Sequence, residues 1–155
     1  MTKRLFLKGF RLRGNEENQL TMNKIEHIGI AVKNLKDSND LFSKLFGKAH
    51  YKTEEVKSEG VNTSFFKVGE NKIELLEATK KDSPIAKFIE KKGEGIHHIA
   101  FDVDDIVSEI KRLKAEGFIV LNETPKRGAD NKLVAFLHPK TANGVLIELC
   151  QEIKQ

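Results

Sequence analysis

The sequence predicts an α+β fold made of two tandem copies of one module, in which strands and a helix alternate. Two stretches show the duplication, because EHIGIAVKNL at 26–35 and HHIAFDVDDI at 97–106 share one order of polar, histidine, isoleucine, small and apolar residues. Two later stretches, Ile73-Glu74-Leu75 and Ile147-Glu148-Leu149, repeat at nearly the same spacing. A constant spacing between similar segments indicates a fold with approximate twofold symmetry.

Length and composition are typical of a globular protein of 155 residues, of which 39% are hydrophobic and 32% charged. No apolar run reaches the roughly 18–20 residues of a membrane span, so we expect no membrane partner. Cys150 is the only cysteine, which excludes an intramolecular disulfide and fits a reducing, cytoplasmic location. Much of the net charge of +4 lies in residues 1–21, so we expect no nucleic-acid partner.

The chain divides into four predicted parts. Residues 1–21 have no clean hydrophobic period and are predicted to be a disordered tail or leader. The alternative is an organelle-targeting peptide, which would place the protein in the mitochondrial matrix. The other parts are a first module at 22–79, a linker helix at 80–95 and a second module at 96–155.

Each element has its own signal in the first module and the linker. After the first strand, Leu41, Phe42, Leu45 and Phe46 have helical spacing, and Gly47 follows as a helix end. Strands are predicted at 61–68 and 72–78, joined by a turn at 69–71. In the linker, Ser83 and Pro84 are suited to the start of a helix, which ends at Gly93 or Gly95.

The second module repeats this pattern. Its first strand enters a helix with Ile106, Val107, Ile110 and Leu113 on one face, and Gly117 follows. Three strand-like runs come after the helix, at 118–122, 132–137 and 144–150.

The first strand of each module carries a histidine on its less bulky face. Strand side chains alternate between faces, so His27 lies with Gly29 and Ala31, and His98 lies with Ala100. Small neighbours leave room for a ligand at this face. His97 falls on the opposite, bulky face, which is expected to pack beneath the helix.

Glu74 and Glu148 lie inside runs that otherwise consist of buried, aliphatic residues. A buried carboxylate is costly unless it is paired or binds a metal. Together with His27 and His98, they would make a site of two nitrogen and two oxygen ligands for a divalent cation. The alternative for each residue alone is an ordinary surface histidine, or a glutamate that is solvated or paired with lysine.

Four segments carry a resemblance to known proteins: IEHIGIAV, DSPIAKFI, GEGIHHIAFDVDDI and RGADNKLVAFLHPKTANGVLIEL. They resemble the vicinal-oxygen-chelate superfamily of glyoxalases, bleomycin-resistance proteins and dioxygenases and, within it, the methylmalonyl-CoA epimerase family. The similarity covers residues 23–152. It implies two βαβββ modules that form a cupped mixed sheet around one metal.

The resemblance also implies a site and a reaction. Its metal ligands are His27, Glu74, His98 and Glu148, and the metal is one divalent ion, cobalt in the first place, with manganese, nickel, zinc or magnesium as alternatives. The implied activity is a metal-dependent epimerase that interconverts the 2R and 2S forms of methylmalonyl-CoA through an enolate. Glu148 is the implied catalytic acid or base.

The sequence departs from the family at the second acid or base. Some members carry a glutamate three residues after a glycine, and here Thr63 stands at that position. Threonine is a poor base, so Glu54, Glu55, Glu59 or a metal-bound water are the candidates that remain.

The predicted partner is a small acyl-CoA substrate. Lys140 lies in a loop that is expected to border the site, and Arg127, with Lys126, is a candidate for binding CoA phosphates. The alternative for each is an ordinary solvated side chain. Many relatives dimerise, so we expect a homodimer.

Two other functions stay open at this point. The first is a glyoxalase-type lyase, favoured by glutamate rather than glutamine at position 74. The second is a non-enzymatic protein of the same fold that binds a small molecule, against which the presence of all four ligand residues argues.

Overall fold

The computed structural model describes residues 22–154, and the predicted tail at 1–21 lies outside them. These residues form one sheet of eight strands with three α-helices. The strands are β1 Met22–Ala31, β2 Lys52–Val56, β3 Val61–Val68, β4 Asn71–Ala78, β5 Gly95–Val103, β6 Lys126–Arg127, β7 Lys132–Leu137 and β8 Ile147–Glu152. The helices are α1 Leu35–Phe46, α2 Pro84–Lys92 and α3 Ile106–Ala115.

The strand order is β2-β3-β4-β1-β5-β8-β7-β6, which reads the same outward from the β1–β5 pair in both directions. β1 pairs with β4, and β5 with β8, in parallel, whereas β1 and β5 pair antiparallel. This mixed sheet confirms the predicted α+β class and its approximate twofold symmetry. The module limits at residues 79 and 96 stay a prediction.

Helices α1 and α3 cover one face of the sheet. Phe42 and Phe46 of α1 pack on Phe66 and Leu75 of the first half. In the second half, Ile106, Ile110 and Leu113 of α3 pack with Val103, Ala135, Leu137 and Leu149. Full burial of one such side chain stabilises a fold by about 1.5–3 kcal/mol. The two clusters therefore fix the helices on this face and leave the other face open.

Helix α2 lies on the opposite face, at one end of the sheet. Its Ile85, Phe88 and Ile89 pack with Ala31, Val61 and Leu76. As predicted, Ser83 caps the helix, accepting a hydrogen bond from the backbone nitrogen of Ala86 at 3.1 Å, and Pro84 is its first residue. Of the two predicted ends, the structure has the first, Gly93.

Two strand predictions differ from the structure, and two short strands, β2 and β6, were not predicted. The strand predicted at 118–122 is wrong, since this segment makes only an isolated bridge from Val120 to Leu137 and a few hydrogen bonds beside β7. The strand predicted at 144–150 begins three residues later, because Asn143 and Gly144 have positive φ angles in the preceding turn. β2 was not singled out, since its residues, KTEEV, are mostly polar.

Candidate active site and metal centre

The open face of the sheet holds a cavity of about 320 Å³ to which both halves contribute. All four predicted metal ligands line it: His27 and Glu74 from the first half, His98 and Glu148 from the second. They are buried, with exposures of 5%, 4%, 5% and 7%, in that order. The structure therefore brings together the four side chains that the sequence analysis paired by symmetry.

Three of these side chains converge on one point. His27 Nε2 lies 3.0 Å from His98 Nε2 and 3.3 Å from a carboxylate oxygen of Glu148. The other oxygen of Glu148 lies 3.6 Å from His98 Nε2. One ligand atom from each of the three residues lies within 4.8 Å of the others. Two imidazoles and a carboxylate at this spacing fit a single divalent cation.

Glu74 reaches the same histidine from the other side. Its carboxylate oxygen lies 2.9 Å from Nδ1 of His27, whereas Nε2 of that ring faces His98 and Glu148. A carboxylate on the second nitrogen of a metal-binding histidine orients the ring and makes it a stronger ligand. In this arrangement Glu74 supports His27, and direct binding of the metal by Glu74 stays a prediction.

The electrostatics of the site favour a cation. Burial disfavours the imidazolium form of His27, but the charges of Glu74 and Glu148 outweigh it and raise the pKa of His27 to about 10. Burial, assisted by the charges of Glu74, Glu26 and Glu59, raises the pKa of Glu148 to about 7 despite the opposing effect of His27. Both shifts report a strongly negative field, which a bound divalent cation would neutralise.

Gly29 makes room for His98. A Cβ atom on Gly29 would lie 2.2 Å from Cε1 of the His98 ring, far inside the contact distance. Gly29 is paired with His98 across the β1–β5 ladder. The space that Gly29 leaves on this strand face is therefore occupied by the ring of His98. The room for a substrate lies further along the cavity.

Two β-bulges, one in β1 and one in β5, each turn an additional residue toward the cavity. Glu26 and His97 have no partner in the β1–β5 ladder, because the register shifts by one residue at each of them. Both line the cavity, each next to its ligand histidine, His27 or His98. The predicted placement of His97 on the bulky face is therefore wrong. Strict alternation of side chains places both residues on the face away from the cavity, so it could not predict them as part of the site. The sequence does show a polar residue before each histidine, at matched positions.

Each bulged residue contacts the histidine that follows it. Glu26 lies 3.3 Å from Nδ1 of His27 and 3.2 Å from the ammonium of Lys72. Burial opposes the charged form of Glu26, but these two contacts prevail and lower its pKa to about 2. Nδ1 of His97 lies 2.9 Å from Nδ1 of His98, and burial together with Lys92 lowers the pKa of His97 to about 4. His97 is thus neutral near pH 7 and can accept a hydrogen bond from His98.

Asp130 ties the two halves together at the cavity wall. Its carboxylate lies 2.7 Å from Lys52 Nζ and 2.6 Å from Lys72 Nζ, both of which belong to the first half. Burial opposes its ionised form, but the hydrogen bonds from both lysines lower the pKa of Asp130 below 3.8. The sequence analysis missed Asp130, because its partners are 58 and 78 residues away.

The predicted acid–base candidates differ in whether they line the cavity. Thr63 lines the cavity, and its buried hydroxyl has no hydrogen-bond partner among residues 22–154. Glu59 also lines the cavity, whereas Glu55 is exposed and Glu54 contacts Lys52 and the backbone nitrogen of Asp130.

The two predicted substrate-binding residues lie outside the cavity wall. Lys140 is exposed in the turn Pro139–Thr141, and Arg127 is exposed on β6. Neither lines the cavity, although Lys126, which precedes Arg127 and points to the other side of the strand, does. A contact of Arg127 or Lys140 with a CoA tail that extends beyond the cavity stays a prediction.

Cys150 lies at the edge of the site as a buried thiol. Glu26, His27 and Cys150 form a second group with ligand atoms within 4.8 Å of one another. Burial strongly raises the pKa of the Cys150 thiol, and its sulfur contacts the carbonyl oxygen of Phe101 at 3.4 Å. Glu26 in this group is already paired with Lys72, so the group at His27, His98 and Glu148 is the better candidate for a metal site.

None of the helices among residues 22–154 combines the length and the apolar composition that a membrane span requires.

Comparison with known proteins identifies the family of the chain. The profile of the Glyoxalase/Bleomycin resistance protein/Dioxygenase superfamily matches residues 26–136. The uncharacterized protein YqjC of Bacillus subtilis (strain 168) is 40% identical over 130 residues, which are 84% of this chain and 93% of that protein. The mitochondrial methylmalonyl-CoA epimerase of Dictyostelium discoideum is 42% identical over 137 residues, which are 88% of this chain and 82% of that protein.

A solved structure matches as well. A variant of Streptomyces coelicolor methylmalonyl-CoA epimerase, in complex with 2-nitronate-propionyl-CoA, superposes with a TM-score of 0.82 at 34% identity. The match covers 85% of this chain and 96% of that one. The chain belongs to the glyoxalase/bleomycin resistance protein/dioxygenase superfamily and, within it, to the methylmalonyl-CoA epimerase family.

Proposed function

We propose that the protein is a metal-dependent epimerase that interconverts the 2R and 2S forms of methylmalonyl-CoA. The observation that carries the proposal is the convergence of His27, His98 and Glu148 at the floor of a cavity that both halves line. Relatives at 42% and 34% identity bear the name of this enzyme. The α-carbon of the substrate lies between a thioester and a carboxylate, so its proton can be removed by a carboxylate base.

His27, His98 and Glu148 would hold the metal, with Glu74 as a further ligand or as the support of His27. When bound, the metal supplies Lewis-acid stabilisation of the negative charge that develops on the substrate oxygen. We propose cobalt as the natural metal, with manganese, nickel, zinc or magnesium as alternatives. Imidazole with carboxylate is a ligand set that suits borderline divalent ions, which supports this choice.

Glu148 is the proposed proton acceptor. In the metal-free site burial raises its pKa to about 7, and a bound cation would oppose this rise, so the carboxylate would be ionised and able to accept a proton at neutral pH. Glu148 is thus suited both to removing the α-proton from one face of the substrate and to giving it back.

The remaining cavity wall suits an acyl group. Val61, Leu76, Ile85, Val134 and Phe136 supply apolar contacts around the polar floor. Such a mixed wall can bind a methyl-bearing acyl group and exclude water from the reacting atoms. The CoA moiety is larger than the cavity, so we propose that it extends past the rim, where Lys126, Arg127 and Lys140 are candidates for binding its phosphates.

The function can be tested by isotope exchange. Protein supplied with cobalt is incubated with one epimer of methylmalonyl-CoA in deuterated water, and mass spectrometry with chiral analysis follows the product. We expect deuterium at the α-carbon and formation of the other epimer. Glu148→Gln should lower the rate of inversion by at least about 100-fold, since it removes a base that inversion requires.

Glu152→Gln serves as the control, because Glu152 is exposed at the end of the same strand. Absence of exchange by the wild-type protein with metal supplied would contradict the proposal. Turnover of a hemithioacetal instead of the malonyl thioester would assign the protein to the glyoxalase-type lyases.

Assembly and location are further parts of the proposal. We propose a homodimer, as the family resemblance implies, and light scattering of the purified protein would test it. The single cysteine supports a cytoplasmic location, and the basic residues at 1–21 support the mitochondrial matrix as the alternative.

A further inference from the structure

An epimerase needs a second proton-transfer residue, and this inference rests on the proposed function. Inversion requires a group that removes the α-proton on one face and another that delivers a proton on the opposite face. Glu148 can serve one face only. The position at which some relatives carry a second glutamate is occupied here by Thr63, whose hydroxyl is a poor base.

Most titratable side chains in the cavity are already engaged. Glu26 is held by His27 and Lys72, and Asp130 is held by Lys52 and Lys72. The lysines of the cavity wall are ammonium groups that donate hydrogen bonds but cannot accept a proton.

Of the remaining titratable residues that line the cavity, one is left as a candidate for the second proton-transfer residue. His97 faces the ring of His98, and the other titratable groups of the wall are the four predicted metal ligands. Among the cavity-lining residues of the described chain, this leaves Glu59 as the carboxylate that lies outside the metal-binding cluster and has a single ion-pair partner, the exposed Lys126.

Glu59 has the position and the environment of a proton carrier. It is the last residue of the turn Lys57–Glu59 and is separated from β3 by Gly60, in the half of the sheet that does not contain Glu148. Its side chain is 30% exposed, so it can exchange a proton with solvent. Its carboxylate pairs with Lys126 Nζ at 2.5 Å, a contact that joins the two halves of the cavity.

A buried hydroxyl on β3, the strand that follows Glu59, also favours the binding of a polar ligand. Thr63 follows four residues later on β3, and its hydroxyl is 1% exposed with no hydrogen-bond partner in the described chain. A buried hydroxyl that lacks a partner costs free energy, which a polar atom of a bound ligand would recover. A polar substrate atom is therefore expected beside Thr63 in this part of the cavity.

We propose that Glu59 is the second catalytic residue, which exchanges the α-proton on the face of the substrate opposite Glu148. In one direction, the Glu148 carboxylate accepts the α-proton, and the electron pair of the broken C–H bond passes into the enolate of the thioester. Glu59, protonated from solvent, then gives its proton to the opposite face, where a new C–H bond forms. In the reverse direction the two carboxylates exchange roles.

The test separates exchange from inversion. Wild type, Glu59→Gln and Glu55→Gln are each incubated with the separate 2R and 2S epimers in deuterated water. For Glu59→Gln we expect inversion to fall at least about 100-fold. One epimer should still exchange its α-proton within about tenfold of the wild-type rate through Glu148, whereas the other should neither exchange nor invert. Glu55→Gln should behave as wild type, because Glu55 is exposed outside the cavity.

A second variant distinguishes loss of the carboxylate from loss of the ion pair. Lys126→Gln breaks the same contact but keeps Glu59, so it should still interconvert the two epimers at saturating substrate. Loss of a Lys126 contact with CoA would raise KM and leave kcat for inversion within about tenfold of wild type. Equal loss of inversion in both variants, or equal loss of exchange for both epimers in Glu59→Gln, would assign Glu59 a structural role and overturn the proposal. Unchanged inversion in Glu59→Gln would overturn the role of Glu59 and leave the proposed function standing. A wild type that exchanges neither epimer would overturn both the role of Glu59 and the proposed function.

Discussion

Gly29 shows how a residue without a side chain can determine the position of a ligand. It carries no positive φ angle, so its backbone is one that other residues adopt readily. What it provides is space, because the ring of His98 occupies the volume that a side chain would fill. The position of the His98 ring relative to His27 therefore depends on the absence of a single methyl group across the strand pair.

We predict that Gly29→Ala displaces His98. The new methyl group would lie 2.2 Å from the ring, so the ring must shift away from the site. Overpacking of this kind costs about 1–3 kcal/mol of unfolding free energy. Affinity for a divalent metal should fall by about tenfold or more, measured by competition with a chromogenic chelator.

Gly69→Ala is the matched control. A methyl group on Gly69 meets nothing within 4 Å, but its φ of +61° disfavours alanine, so this variant should lose stability and keep its metal affinity. Equal metal affinity in Gly29→Ala and wild type would contradict the steric argument.

At the residue scale, the sequence predicted the four side chains on the cavity floor but not the ones that support them. His27, Glu74, His98 and Glu148 could be found because duplication places them at matched positions in runs of otherwise buried residues. The position of Asp130 near Lys52 and Lys72 depends on distant parts of the chain and leaves no local pattern.

At the scale of elements, the bulges in β1 and β5 are the features that complete the site. Each bulge turns two successive side chains toward the cavity, so that a ligand histidine and a polar neighbour lie side by side. In the first half the neighbour is Glu26, and in the second it is His97. When Nε2 of His98 binds the metal, Nδ1 of that ring carries the proton and can donate it to Nδ1 of His97, 2.9 Å away, which would fix the orientation of the His98 ring.

We predict that His97 positions His98 through this hydrogen bond. His97→Phe keeps a ring against Phe88 but removes the acceptor, so metal affinity should fall by about 10- to 100-fold. His97→Gln retains an acceptor and should lose less. Isothermal titration with cobalt compares the variants, and thermal unfolding confirms that they are folded. Wild-type affinity in His97→Phe would show that the contact has no such role.

Periodic hydrophobic patterns predicted the three helices and the long strands, since these elements bury one face. They failed for β2 and for the two-residue β6, whose side chains are mostly polar or exposed, and for 118–122, whose apolar residues lie beside β7 without a regular ladder. The bulges could not be predicted, because alternation assumes an uninterrupted ladder.

At the scale of the whole molecule, two residues of the second half make ion pairs across the cavity that supplement the β1–β5 pairing. Asp130 reaches Lys52 and Lys72, and Lys126 reaches Glu59. Both link the segment 126–130 of the second half to the first half. The cavity therefore has a wall whose position depends on charge.

We predict that Asp130→Asn weakens this link in a pH-dependent way. The folded pKa of Asp130 lies below 3.8, so its contribution is present above that pH and is lost as the pH falls through the folded pKa. At pH 7 the metal-free variant should lose about 1–2 kcal/mol of unfolding free energy, and the difference from wild type should narrow in acid. Urea unfolding at neutral and acid pH measures both values.

Asparagine suits this substitution because it tolerates the φ of +59° at position 130. The backbone conformation is therefore retained, and the charge is what changes. A stability difference that stays constant from neutral to acid pH would assign the loss to packing instead.

The approximate twofold arrangement has a consequence for how the sheet assembles. The proposed cation takes ligands from both sides of the β1–β5 pair, so it recognises only chains in which these strands are aligned as in the native ladder. A slip by one residue would turn His98 toward the helices and destroy the binding site. Binding thus lowers the free energy of the correctly aligned sheet alone. It thereby increases the free-energy difference between this sheet and sheets with a shifted strand register. In this fold, the metal that is proposed to serve catalysis would also select the correct strand alignment.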